Sequence, residues 1–246
     1  MTTGFRDSSA AWGGDDPCRQ RRSKGVTLTT AIIGAGNIGS AVARHLVGGD
    51  ESVVVAAKDV SHANALAEQL GPHGRAAPVD EAIAEADAVV FALWLDDMKH
   101  VIAKHAALLE NKVVVDPSNP IGFDENGQVF RTLPDGKSAG SVVAALLPAS
   151  SHYVKAFGTL GADSLASAAN REPRAVLFCA TDDEVAAAAV ERLIRVAGFE
   201  PLRAGGVADA GRIEGPGGDL SQYGLNGAIL DLDEARVAVA RAEVKA

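Results

Sequence analysis

Thr29-Thr30-Ala31-Ile32-Ile33-Gly34-Ala35-Gly36-Asn37-Ile38-Gly39-Ser40 is the run whose reading decides the fold. An apolar strand enters a Gly-x-Gly-x-x-Gly turn, and a helix rich in Ala and Val leaves it. Each glycine answers a separate steric need. Gly34 permits the tight turn, Gly36 lets the backbone approach a diphosphate, and Gly39 lets the new helix press on its strand. The N–H groups at the start of that helix then face negative charge. An ordinary glycine-rich turn would leave the spacing of all three glycines unexplained. The strand before the pattern and the helix after it mark a dinucleotide-binding turn.

Outward from this run the pattern alternates strand and helix. Strands are expected at 27–33, 52–57, 75–79, 88–93 and 112–116, with helices at 38–47, 63–70, 80–85 and 96–109 between them. Asp80 and Asp96 are read as the caps of the last two helices. Such alternation implies a parallel sheet covered by helices on both faces, and right-handed crossovers give it the Rossmann order. Residues 116–138 form a long polar connection of the kind that is functional or mobile. Beyond it, a helix at 141–147 stops at Pro148, strands follow at 152–157 and 175–180, and Asp182 or Asp183 caps a helix over 184–197. A short strand at 200–203 and a final helix from about Leu225 complete the chain. The fold class is therefore α/β: a Rossmann-type, doubly wound, mainly parallel sheet with a small C-terminal helical or α+β extension. The division is a disordered tail at 1–25, a dinucleotide-binding domain at 26–182, and a small portion at 183–246 packing over the substrate side. The tail lacks apolar periodicity despite its cluster Arg19-Gln20-Arg21-Arg22-Ser23-Lys24, and Val26 is an alternative start.

Composition narrows the function. A net charge of −9 without a compensating basic face argues against nucleic acid. No apolar run has the length of a membrane span. The two cysteines, Cys18 in the polar tail and Cys179 in an apolar strand, are expected to stay unpaired in a cytoplasmic setting. The six histidines show no ligand spacing, so no metal site is expected.

Ligands of such sheets bind beyond the carboxyl ends of the strands, where strand order reverses. Four segments converge there: the glycine turn, Val55-Ala56-Ala57-Lys58-Asp59, Leu93-Trp94-Leu95, and Asp116-Pro117-Ser118-Asn119-Pro120. A carboxylate at the second strand's tip would accept both ribose hydroxyls of NAD, whereas a cation among small residues accommodates a 2′-phosphate. Ala56-Ala57-Lys58 favours NADP; Asp59 either takes the ribose role or caps the next helix. Trp94 either walls a ring pocket or packs at the sheet edge. Asn119-Pro120 is either a turn or a holder of a carboxamide. Asp116 is read as ordering its loop. Ser150, Ser151 and His152 are adjacent on a strand, where neighbours point to opposite faces, so they make no triad. Lys155 has no visible partner and is not read as catalytic. No catalytic acid, base or nucleophile is expected. That absence suits hydride transfer by positioning two rings about 3–3.5 Å apart.

Ile32-Ile33-Gly34-Ala35-Gly36-Asn37-Ile38-Gly39 resembles the opening of NADPH-dependent reductases of the 5-deazaflavin coenzyme F420. The likeness extends through Val114-Val115-Asp116-Pro117-Ser118-Asn119-Pro120-Ile121 and Val154-Lys155-Ala156-Phe157-Gly158-Thr159-Leu160-Gly161. It continues in Cys179-Ala180-Thr181-Asp182-Asp183 and Ala197-Gly198-Phe199-Glu200-Pro201-Leu202, and so covers nearly everything from Val26 onward. The resemblance implies a Rossmann domain carrying NADP, a small C-terminal portion closing over a second ring, and a homodimer. Gly34, Ala35, Gly36, Asn37, Ile38 and Gly39 would line the pyrophosphate, and Ala57 and Lys58 the 2′-phosphate. Here Lys58 replaces an arginine and Ala57 a serine or threonine. Leu93 and Trp94 would lie near the cofactor, and Asn119 and Pro120 near the nicotinamide. Phe157, Gly158 and Thr159 would border the second substrate, although relatives carry asparagine where this chain has Gly158. Arg212-Ile213-Glu214 would sit at a subunit or domain contact. The expected function is hydride transfer between NADP(H) and F420 or a similar planar small-molecule acceptor. Reduction of a flavin, ferric chelate or small carbonyl compound is the second reading, and a non-catalytic NADP-binding sensor the third.

Overall fold

The computed structural model describes Met1 and residues 29–243. The expected tail at 1–25, Cys18 and the start of the first strand at Thr27 lie outside the described residues.

The first half of the chain builds β1 (Thr29–Ile33), α1 (Asn37–Gly48), β2 (Ser52–Ala56), α2 (Val60–Leu70) and β3 (Gly74–Ala76). It continues with α3 (Val79–Glu85), β4 (Ala88–Phe91), α4 (Leu95–His105) and β5 (Val113–Asp116). The second half holds a hairpin of β6 (Ile121–Phe123) and β7 (Val129–Arg131), then α5 (Ala139–Ala144) and β8 (His152–Lys155). It ends with α6 (Ala162–Ser167), β9 (Val176–Ala180), α7 (Glu184–Val196), β10 (Glu200–Gly205) and α8 (Leu232–Glu243). Eight strands form one sheet in the order β10-β9-β8-β5-β4-β1-β2-β3. From β3 to β8 every pairing is parallel; β9 meets β8 antiparallel through Lys155 and Ala180, and β10 pairs parallel with β9. Strand order reverses between β1 and β4, so the crevice of the fold opens above their carboxyl ends.

The strands read as unbroken apolar runs because both faces of the sheet are covered. Alternating side chains supply two layers. Ile32, Val53, Val55, Val90 and Val115 meet Val42 and Leu46 of α1, Leu66 of α2, and Val190 and Leu193 of α7. Ala31, Ile33, Val54, Val89 and Val114 meet Ile83 of α3, Met98 and Ile102 of α4, and Val143 of α5. Burying one such Val or Ile fully contributes about 1.5–3 kcal/mol. A third cluster joins β9 and β10 to Ala210, Ile213, Leu220 and Ala235 of α8. Cys179 lies in the sheet core as a free thiol, and burial pushes its pKa up to about 12. Among the described residues no helix is long and apolar enough to cross a membrane.

Several local expectations are corrected. Pro78 and Trp94, not Asp80 and Asp96, occupy the cap positions of α3 and α4; both acids fall in the first turn, where they meet the positive end of the helix dipole. Leu109 ends a 3₁₀ turn that follows α4, not α4 itself. The connection at 116–138 contains the β6–β7 hairpin, and α6 was not anticipated at all. Asp183 caps α7 through the N–H groups of Val185 and Ala186. The last helix starts at Leu232 rather than near Leu225, because Asn226 and Gly227 take positive φ angles and interrupt it. The division expected at 182/183 falls inside the sheet, since α7 and β10 complete the same layers as β9. The segment that packs over the crevice begins after β10.

The packing of the glycine turn yields a stability prediction. A Cβ on Gly39 would stand 1.9 Å from the backbone oxygen of Gly34, with no flexible atom to yield. Gly39→Ala should lower unfolding free energy by roughly 2 kcal/mol or more, an overpacking cost. Urea denaturation with an unchanged midpoint would contradict this.

Candidate functional site

β1 delivers the chain to Gly34, whose φ of +113° suits only glycine, and whose N–H donates to the Ala56 carbonyl at 2.8 Å. A Cβ on Gly34 would meet the Ala92 oxygen at 2.2 Å, so the missing side chain lets the turn lie against the end of β4. Gly36 then holds the N-cap position of α1 without any side-chain cap. The first N–H groups of that helix have no intrahelical acceptor, and the helix dipole adds partial positive charge. A Cβ on Gly36 would meet nothing within 4 Å. The space it leaves belongs to the crevice.

That crevice is a cavity of about 1200 Å³, larger than the roughly 300–1,000 Å³ usual for a small-ligand pocket. Gly34, Ala35, Gly36, Asn37 and Ile38 form its floor, with Ala57, Lys58, Leu93, Trp94, Asn119, Gly158 and Thr159 along its walls. Three of the expected residues do not line it. Gly39 is buried in packing between helix and turn, Pro120 is buried outside the lining, and Phe157 is wholly buried in the core. Phe157 has a φ of +64°, which turns its ring beneath the sheet while Gly158 and Thr159 still reach the cavity.

At the tip of β2, Lys58 is exposed and Asp59 caps α2. Asp59 accepts from the Ser61 hydroxyl at 2.7 Å and from the Ser61 N–H at 2.9 Å, and these bonds hold its carboxyl below the ordinary range. His62, one turn into α2, lines the same end of the cavity. Sequence reading passed over it because one histidine on a helix carries no local signal.

The opposite end is aromatic. Trp94 packs edge-on against Phe123 of the hairpin, with centroids 6.1 Å apart and planes at 89°. Both rings are more than half exposed, as is Tyr223, which lines the same cavity. Gln222 straps this wall in place: its N–H donates to the Thr159 carbonyl, and its side chain accepts from Gly161 and donates to Ser164. Phe123 and Tyr223 were also missed. Their only sequence signal is an aromatic inside a polar or glycine-rich segment.

Asn119 bridges two walls. Its Nδ2 donates to the Gly158 carbonyl and its Oδ1 accepts from the Gly215 N–H, both at 2.9 Å. The amide is therefore a strut between β5, β8 and the C-terminal segment. Gly158 lies so near the Pro117 carbonyl that a Cβ would come within 2.4 Å of its oxygen. Beneath this junction Lys155, Asp116, Glu214 and Tyr153 form a buried ionic cluster. Burial and the neighbouring carboxylates raise the Tyr153 pKa well above its ordinary value, so its hydroxyl stays a donor to Asp116. Glu214 thus lies inside the fold and ties Ala139 and Gly140 of α5 to Lys155.

Among the described residues, the ionisable groups lining the cavity are Lys58, Asp59 and His62 at one end and the Tyr223 phenol at the other. Among the described residues, the hydroxyls of Ser118 and Thr159 that also line it have no hydrogen bond to a histidine or carboxylate. Ser151 and His152 are engaged elsewhere, with the Leu109 carbonyl and the Asp183 carboxylate respectively.

Comparison with known proteins agrees with this geometry. Residues 29–120 match the family model described as NADP oxidoreductase, coenzyme F420-dependent. That segment, less than half of the chain, is similar to this family. It holds the glycine turn, the tip of β2, Trp94 and Asn119, and so most of the cavity floor. Among curated proteins the chain is similar to Metalloreductase STEAP3 of Rattus norvegicus, at 28% identity over 183 residues. The match covers 74% of this chain but 35% of the rat protein, so the chain spans about a third of that relative's length. Among solved structures it resembles the hypothetical protein SMa0349 of Sinorhizobium meliloti, with a TM-score of 0.72 and 28% identity over 83% of this chain and 95% of that one. A protein of Arthrobacter sp. FB24 assigned as an F420-dependent NADP-reductase shares the fold, with a TM-score of 0.65 and 22% identity over 74% and 87% of the two chains.

The open space at Gly36 separates binding from folding. Gly36→Val should leave the unfolding midpoint nearly unchanged while reducing dinucleotide affinity at least about a hundredfold, or ~2.7 kcal/mol. Titration showing retained affinity would place the diphosphate elsewhere.

Proposed function

We propose that the protein is an NADP-dependent oxidoreductase that passes hydride between NADP(H) and a planar conjugated acceptor, with the deazaflavin coenzyme F420 as the leading candidate. One observation carries this reading: a single cavity runs from the uncapped start of α1 to an aromatic end that lacks an acid–base pair. The open cradle at Gly36 fits a diphosphate, and the family that residues 29–120 match supports NADP as its owner.

Bound NADPH would supply the hydride. Gly36, Asn37 and Ile38 offer backbone N–H groups to its diphosphate. Lys58, with His62 beside it, favours a 2′-phosphate, while the Asp59 carboxylate is already engaged by Ser61. Trp94, Phe123 and Tyr223 offer ring faces and edges to a flat partner, and aromatic pairs of this sort contribute about 0.5–1.5 kcal/mol each beyond their buried area. A conjugated ring that takes up hydride can obtain any proton it needs from water. The lining therefore has to orient the two rings rather than move protons.

The similarity to the rat metalloreductase favours a second acceptor class, flavin or ferric chelate, reduced through the same cofactor half. Purified protein mixed with NADPH and oxidised F420, flavin or ferric chelate separates the two. Loss of the nicotinamide absorption band with F420 supports the first reading. Loss only with flavin or iron supports the second, and no change with any acceptor, beside an active control enzyme, overturns both.

Cofactor choice has its own test. Lys58→Asp should shift preference from NADP toward NAD by about tenfold or more, ~1.4 kcal/mol. Unchanged selectivity would mean that Lys58 does not meet the 2′-phosphate.

A further inference from the structure

The ionic cluster under the cavity has no part in hydride transfer, yet it touches the cavity wall at Ser118. Lys155 is almost wholly buried, and its ammonium reaches Asp116 Oδ2 at 3.0 Å and Glu214 Oε1 at 3.3 Å. Its remaining donor goes to the Ser118 carbonyl. The carboxylates are otherwise satisfied: Asp116 accepts from the Tyr153 hydroxyl at 2.8 Å and the Ser118 N–H at 2.7 Å, and Glu214 from the N–H groups of Ala139 and Gly140. Buried ion clusters add little net stability, because desolvation offsets their attraction. What they provide is fixed geometry.

The consequence follows from peptide planarity. In a trans peptide the C=O and the following N–H point in opposite directions. The Ser118 carbonyl is drawn down onto buried Lys155, so the Asn119 N–H is turned away from Lys155, in a segment whose Ser118 and Asn119 line the cavity. Among the described residues no protein acceptor takes that N–H. The Asn119 side chain, pinned to Gly158 and Gly215, prevents the peptide from rotating back.

We propose that Lys155 is a positioning residue, which aims the Asn119 N–H into the cavity as a fixed donor for a carbonyl oxygen on the ring bound there. The inference rests on the cofactor reading above, in which that ring is nicotinamide and the oxygen belongs to its carboxamide. A preset donor needs no reorganisation when ligand arrives, whereas a rotating peptide would lose part of its bond to disorder.

Comparison of NADP⁺ with 2′-phospho-ADP-ribose, which lacks nicotinamide, isolates this contact. Lys155→Met should weaken NADP⁺ about tenfold, the value of one good hydrogen bond, and leave 2′-phospho-ADP-ribose within about twofold. Equal weakening of both, or of neither, overturns the assignment. Should the variant fail to fold, amide NMR of the wild-type protein decides: the Asn119 amide proton should move downfield with NADP⁺ and stay in place with 2′-phospho-ADP-ribose. An Asn119 amide that responds equally to both, or to neither, overturns the proposal. Wild-type protein that binds neither compound overturns the cofactor reading and this inference together, whereas binding of both without a Lys155 or Asn119 effect overturns this inference alone.

Discussion

Backbone crowding at two glycines governs the rest of the molecule. Gly34 lies against the Ala92 carbonyl and Gly39 against the Gly34 carbonyl, at distances that leave no room for a Cβ. These two approaches bring the end of β1, the start of α1 and the end of β4 into one knot. With the knot closed, the uncapped end of α1 faces the crevice where strand order reverses. The third glycine works by leaving space. Gly36 has no neighbour in its side-chain direction, and what would be a defect in a core is an entrance for anionic ligand.

The other half of the cavity is held by different means. Polar side-chain struts tie its segments together. Asn119 joins the β5 loop to Gly158 and Gly215, Gln222 binds the C-terminal segment to the 159–164 stretch, and Glu214 clasps the start of α5. Lys155 sits where these meet. The hairpin carrying Phe123 reaches out from the same loop to meet Trp94, so this wall combines a pinned base with an exposed aromatic rim.

The cofactor half was legible because its code is local. Apolar runs such as Val53-Val54-Val55 and Val113-Val114-Val115 announce strands buried on both faces, and the glycine spacing announces the turn from β1 into α1. What escaped reading depends on contacts distant in the chain. Lys155 showed no partner because Asp116 lies 39 residues away, and it meets Glu214 only once the C-terminal segment folds back. The hairpin was missed because its three-residue strands carry no alternation. The family resemblance placed Phe157 in the substrate wall with Gly158 and Thr159, but its side chain is wholly buried in the core, where contacts distant in the chain hold it. Asp80 and Asp96 were read as caps from residue type alone, but the chain enters those helices earlier, at Pro78 and Trp94.

The account turns on backbone amides at the start of α1 holding a diphosphate. A crystal structure of the protein grown with saturating NADP⁺ tests this most directly. It should show the diphosphate oxygens within hydrogen-bond distance of the Asn37 and Ile38 N–H groups, over the bare Cα of Gly36. A nucleotide bound elsewhere on the protein, or a cavity empty at saturation, would contradict it.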